Sequence, residues 1–193
     1  MARPREFDTD EALAKAMDVF WEHGYADATL PDLLAGMNLT RGSLYKAFND
    51  KKALYMRVLS RYDAQVVSGA VALLVDDDQE GWARIFQVFD SIEEAVRSGD
   101  QRGCLLCSAI AGPAAYDSDI ETMATKSLER MLVGFETALA DVVPPTMSNA
   151  LAHHLVAQYV GMRVIARKDG ALDTLGKSTA ALKHIATRLS PND

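Results

Sequence analysis

The sequence predicts an all-α chain of about nine helices, with a small three-helix head at the amino terminus and a larger helical body behind it. Three observations carry this. Apolar residues recur at three- and four-residue spacing along most of the 193 positions. The segments marked in this way open at Thr, Asp or Ser and close at Gly, Asn or Pro, the residues that cap and stop helices. No stretch alternates at the period of a strand, and neither repeats nor low-complexity tracts interrupt the pattern.

Residues 1 to 8 include Arg3, Pro4 and Arg5, too polar and proline-broken to pack, and read as an arm. The first helix starts at Asp8 or Thr9, where Asp8 and Glu11 have capping-box spacing. It turns Leu13, Ala16, Met17, Phe20 and Trp21 inward and ends at Gly24. From Thr29 to Phe48 the chain reads as two short helices meeting at an angle. Thr29 caps the first, which shows Leu30, Leu33, Leu34 and Met37 on one face. Asn38 takes the left-handed exit, Leu39 plugs the angle and Thr40 caps the second helix, whose Leu44 and Phe48 face inward. A fourth helix opens at Asp50 and runs on through Tyr62 to Val67, so it belongs to head and body at once and connects them mechanically.

In the body, Asp76 to Asp78 form an acidic turn. Trp82, Ile85, Phe86, Phe89, Ile92 and Val96 then make an aromatic stripe closed by Gly99, with no Lys or Arg expected on its inward face. A short apolar segment broken at Gly112-Pro113 follows. A long helix opens at Asp117 or Ser118 and is stopped by Pro144-Pro145. Two more helices span about Thr146 to Lys168 and Ala171 to Leu189. Their apolar girth, from Leu155, Tyr159, Val160, Val164 and Ile165 to Leu182, Ile185 and Leu189, is too wide for one core, and Ala157, Gly161 and Ala181 would let helices approach closely. This makes them the expected self-association surface. Expected boundaries are a head of residues 1–62 and a body of residues 63–193.

The net charge of −7 is unevenly spread. Residues 1–62 hold nine basic and nine acidic side chains and residues 63–193 hold eleven and eighteen, so the whole excess lies in the body. Arg3, Arg5, Arg41, Lys46, Lys51 and Lys52 gather around the paired short helices. A helix-turn-helix reads DNA by laying the start of its second helix in the major groove, and the outer face from Thr40 to Lys46 is short, polar and basic as that requires. Arg41 and Ser43 suit base edges, Gly42 permits close approach, and Thr29, Thr40, Tyr45 and Lys51 suit phosphates. Lys46 can serve either. An ordinary helical hairpin is the plain alternative.

The run Thr29, Leu33, Asn38-Leu39-Thr40-Arg41-Gly42-Ser43-Leu44-Tyr45, Phe48 and Asp50-Lys51-Lys52-Ala53-Leu54 resembles the DNA-binding signature of the TetR family of transcriptional regulators. It departs from that pattern at Asn38, where Gly is usual, and at Ala47, where an aromatic residue or His is usual. The resemblance covers roughly residues 8 to 62 and is only architectural beyond. It implies a homodimer, built through a four-helix bundle of the last two helices, on a palindromic double-stranded operator.

Chemistry in the body is sparser. Cys104 and Cys107 are the only cysteines, too few for a disulfide framework, and sit three apart near a helix start. They read as buried core, as a redox or electrophile sensor, or as metal ligands with His153 or His154. The two histidines are adjacent and cannot chelate as an i, i+4 pair. Trp82, Phe86, Phe89, Cys104, Cys107, Met123, Ser127, Met131, Tyr159 and Met162 are the candidate lining of a small-molecule site, suited to a mostly apolar effector. No GxSxG, Walker loop or HExxH occurs, so no enzyme, cofactor or resident metal is expected. No apolar run reaches membrane-spanning length, and the start lacks a secretory signal, pointing to the cytoplasm. The expected function is a ligand-responsive DNA-binding repressor. The alternative is a thiol-based redox or electrophile sensor or enzyme using Cys104 and Cys107, with the head merely structural.

Overall fold

The computed structural model describes residues 7–189, all-helical throughout, so the expected arm with Arg3 and Arg5 lies outside the described residues. The head comprises α1 (Thr9–Asp27), α2 (Leu30–Met37) and α3 (Arg41–Phe48), packed on α4 (Lys51–Tyr62). Asp8 caps α1 by accepting from the N–H groups of Asp10 and Glu11. Gly24 (φ 79°) breaks the helix as expected, but the chain turns once more to Asp27 before leaving it. Phe20, Leu33, Leu44, Phe48, Leu54 and Tyr55 fill the space between these helices, with the Phe20 and Tyr55 rings 4.8 Å apart.

The α4 rod continues through a π turn (Asp63–Val67) into α5 (Ser68–Leu74). Its uninterrupted apolar pattern gave no warning of the π turn. The remaining body helices are α6 (Gly81–Arg97), α7 (Leu105–Ala111), α8 (Ser118–Leu139), α9 (Pro145–Ile165) and α10 (Ala171–Leu189), with a 3₁₀ turn at Pro113–Tyr116. Counting the α4–α5 rod once, the described residues form nine helices. Pro144-Pro145 does not stop α8, which ends at Leu139. Pro145 instead opens α9, where its missing N–H costs nothing because the first turn has no acceptor for it.

The expectation of an uncharged inner face on α6 is wrong. Arg84 is 3% exposed and its Nη1 donates to the Leu74 carbonyl at 3.2 Å, satisfying the open end of α5. A cation can stand in that apolar stripe because it closes a helix terminus. The other inward residues behave as read: Trp82 stacks on Phe86 at 5.9 Å, and Phe89 on Phe135 at 6.0 Å. In α9 and α10 the apolar girth divides. Leu155, Tyr159 and Leu182 are buried, Val164 and Ile185 are 50% and 41% exposed, and Ala157 and Ala181 are exposed beside them.

At the bend between α2 and α3, Asn38 has φ 54° and ψ 46°, and the Leu39 N–H reaches back to the Leu34 carbonyl at 3.0 Å. Asn tolerates this left-handed conformation better than other residues with a Cβ. Asn38→Ala is expected to lose about 1 kcal/mol of stability and Asn38→Gly to lose none, a contrast that paired thermal melts resolve.

Candidate nucleic-acid interface and body cavities

The two short helices are fixed by their caps. Thr29 accepts from the Asp32 N–H while the Asp32 carboxylate accepts from the Thr29 N–H at 2.9 Å, a reciprocal box; the Thr29 hydroxyl, and then its N–H, hold this carboxyl below its ordinary range. Thr40 accepts from the Ser43 N–H at 3.2 Å, and the two hydroxyls lie 2.9 Å apart. Leu44 and Phe48 lock α3 from beneath, leaving Arg41, Gly42, Tyr45 and Lys46 exposed and Ser43 half-buried. The Arg41 guanidinium lies 5.6 Å over the Tyr45 ring, so the two form one protruding ridge. A Cβ built on Gly42 meets nothing within 4 Å, so the helix surface at that point is open to an approaching partner.

Not all of the expected basic cluster faces outward. Lys51 Nζ donates to the Ala26 carbonyl at 3.3 Å and sits 4.9 Å over the Tyr25 ring, tying α4 to the end of α1. Lys52 bridges to Asp117 at 2.8 Å and Asp119 at 2.7 Å, at the start of α8. It latches head to body instead of joining the outer face. A second latch lies behind α1, where Arg102 pairs with Asp18 at 2.8 Å and Asp100 at 3.0 Å and stacks 4.0 Å over Trp21. The Arg102 hydrogen bonds lower the Asp100 carboxyl pKa.

The ten body residues read as an effector lining do not converge on one cavity. Met123 and Ser127 border a groove of about 510 Å³ between α4 and α8, where Asp63 of the π turn receives Ser127 Oγ at 2.7 Å and Arg130 Nη1 at 2.6 Å. Cys104 and Cys107 border a different cavity, about 330 Å³, between the end of α1, α7 and α9. Trp82, Phe86, Phe89, Met131, Tyr159 and Met162 line neither, and all but the half-buried Phe86 are core. Aromatic and sulfur content marked the interior without distinguishing filled from open space. The polar walls that were missed, Asp63, Arg130, Tyr55, Arg163 and Arg167, lie on helix faces whose local spacing looks like ordinary amphipathic surface.

Cys104 caps α7, its Sγ accepting from the Cys107 N–H at 3.4 Å. Hydrogen bonding from Cys107, its thiol foremost, helped by Tyr62 and the Arg163 charge, draws the Cys104 thiol below its ordinary range against its burial. Cys107 moves the other way, held protonated by its partner sulfur and by burial. His153 and His154 are both exposed, and no group of three or more metal-ligating side chains occurs among the described residues. No described helix is long and apolar enough to cross a membrane.

Residues 12–58 match the family model described as bacterial regulatory proteins, tetR family. Over 181 residues the chain is 28% identical to the HTH-type transcriptional repressor ComR of Escherichia coli (strain K12), covering 90% of this chain and 86% of that one. The structure of a cysteine-substituted TetR family transcriptional regulator, CifR, complexed with a 26-bp double-strand operator DNA, is 26% identical with a TM-score of 0.77, covering 93% of this chain and 99% of that chain. The reduced form of E. coli NemR shares the fold, with a TM-score of 0.80 at 20% identity over 91% of this chain and 94% of that chain.

Proposed function

We propose, from the premise that this chain belongs to the TetR family of operator-binding transcriptional regulators, that it is a homodimeric repressor released from a palindromic operator by a small-molecule effector. The observation that carries the reading is the outer face of α3, a capped helix presenting Arg41, Gly42, Tyr45 and Lys46 above an apolar underside. In this reading residues 1–62 are the DNA-binding head and residues 63–193 the effector and dimer body. The relatives reported above are regulators, and we read this chain likewise as a regulator without enzymatic activity. Repressor action draws support from ComR, a repressor by name.

The mechanism follows from the layout. Two recognition helices must sit about 34–36 Å apart to enter successive major grooves. The α4–α5 rod runs from under α3 into the body, so a change in body packing alters that spacing. The latches at Lys52 and Arg102 stiffen the link.

Contacts sort by role. Arg41 and Ser43 read base edges, with Gly42 giving close approach. Thr29, Thr40 and Tyr45 hold phosphates, Lys51 joins them by leaving the Ala26 carbonyl, and Lys46 serves either. Arg41→Ala is expected to cost about 1–3 kcal/mol on the operator and to relax one base position. Lys46→Ala should weaken all DNA alike and reduce the salt slope by about one unit if it holds a phosphate. Fluorescence anisotropy on operator and scrambled duplexes over a salt series measures both. Equal losses on the two duplexes for Arg41→Ala would remove it from the base-reading set, and no binding to any fragment upstream of its own gene would overturn the function.

A further inference from the structure

Resting on the reading of the chain as an effector-released regulator, we infer that the 330 Å³ cavity between α1, α7 and α9 is the effector site, and that it takes a small electrophile carrying an anionic group, captured covalently by Cys104. One wall of this cavity carries positive charge. Arg163 is half-buried on the cavity wall, its Nε 3.3 Å from the Tyr159 hydroxyl, yet no carboxylate among the described residues lies within ion-pair range. A half-buried guanidinium with no carboxylate in contact attracts an anion that enters the cavity. Arg167, on the same wall with Nη1 3.0 Å from Ser108 Oγ, adds a second cation at the mouth.

Cys104 borders the same cavity, close enough to Arg163 for the guanidinium to favour its thiolate. Gly103 (φ +73°) brings it there, since a Cβ at that position would lie 2.6 Å from the Arg163 carbonyl and 2.9 Å from Arg167 Cγ. Only a glycine lets this loop press so closely on α9. The groups facing Cys104 are Cys107 on α7, Tyr55 and Tyr62 on α4, and Tyr159 and Arg163 on α9. Asp100 lies near enough to Arg163 to feel its charge. The buried Tyr62 hydroxyl makes no hydrogen bond of normal geometry among the described residues and lies beside Cys104, where its O–H favours the thiolate over the thiol. The two thiols therefore have unequal roles: Cys104 is the nucleophile and Cys107 stays a protonated donor.

With an α,β-unsaturated carbonyl compound, the Cys104 thiolate attacks the alkene carbon β to the carbonyl. The C–S bond forms as the alkene π pair moves to the carbonyl oxygen, and the resulting enolate takes its proton from Cys107 or solvent. Arg163 and Arg167 hold the anionic substituent. An adduct here is wedged between Cys104 and the tail of α1, which leads straight into α2, and beside Tyr62, whose ring meets Trp21 edge-on at 4.9 Å. Capture thus pushes the head away from the body at the Arg102 latch.

The test uses the full chain with 4-oxo-2-pentenoate and its methyl ester, each referenced to its rate with free cysteine. Intact-mass analysis should show one adduct, mapped to Cys104, formed at least about tenfold faster with the acid than with the ester. Its rate should rise with pH through a midpoint below the ordinary thiol range. Cys107→Ser should keep the adduct, Cys104→Ser should lose it, and Arg163→Gln should erase the preference for the acid. If Arg163→Gln fails to fold, the acid-to-ester ratio of the unaltered protein, and its collapse at high salt, carry the same information. An adduct on Cys107, or equal rates for acid and ester, overturns the site. Adduct formation at Cys104 with undiminished operator binding overturns its regulatory role while leaving the regulator reading intact. Absence of operator binding before any treatment would instead count against that reading, because the adduct measurement needs no DNA.

Discussion

Gly81→Ala is expected to destabilise the body by about 3 kcal/mol or more, the upper end of overpacking, and to lower the melting temperature by roughly 6–12 °C for a chain of this size. A Cβ at Gly81 would stand 1.8 Å from the Ala138 carbonyl oxygen and 3.0 Å from its carbon. Both atoms belong to the backbone of α8, so no rotamer change relieves the clash, and α6 would have to move as a unit. That movement would drag Trp82 and the Arg84 bond to the end of α5 with it. Gly69→Ala supplies the control: Gly69 is exposed in α5, its added Cβ meets nothing within 4 Å, and it should gain up to about 1 kcal/mol from helix propensity. Urea melts of the two variants side by side measure the contrast, and a Gly81→Ala protein as stable as the parent would mean that α6 and α8 do not cross at this point.

Nothing about Gly81 in the sequence announces such a contact. It precedes an amphipathic run and reads locally as a helix start. The close approach is set by α8, more than fifty positions away. The same distinction separates what was legible from what was not throughout the molecule. Asn38, Thr29, Thr40 and Asp50 act within three or four residues of themselves, so their roles as helix exit and caps could be read directly, and with them the geometry of the two short helices. Arg84 could not, because its partner is the unsatisfied end of another helix. Lys52 was read as part of a basic cluster from its neighbours in sequence, whereas two carboxylates at the start of α8 decide where it points.

The cavities show the limit most clearly. Composition identifies which side chains prefer the interior, and Trp82, Phe89, Met131, Tyr159 and Met162 are there. Whether they leave space depends on helix crossings that periodicity does not encode. The thiol pair was visible as a spacing. Its asymmetry depends on Arg163 and Tyr62 arriving from α9 and α4, so it emerges only in three dimensions.

The largest functional effect is expected from Gly161→Val. Gly161 is half-buried on α9, next to exposed Ala157 and Val164, and a Cβ built on it meets nothing within 4 Å in its own protomer. A valine there should therefore fold normally, and whatever it disturbs must come from outside the chain. If α9 and α10 of two copies form the proposed bundle, the two helices cross closely where side chains are smallest, and a branched residue forces them apart at about 1–3 kcal/mol for each copy of the clash. The protein would then sediment as a monomer at concentrations where the parent is a dimer. A monomer engages one half-site only, so the gain from linking two recognition helices is lost and operator affinity should fall by about 10²- to 10⁴-fold, while non-specific binding per protomer changes little. The exposed Ile185 on α10 offers an independent probe of the same face, because Ile185→Asp would bury a charge in the bundle but leave it in solvent on a monomer. Both variants remaining dimeric, with full operator affinity, would move the two-fold interface away from these helices, and a loss of affinity without a change in mass would assign the defect to the head instead.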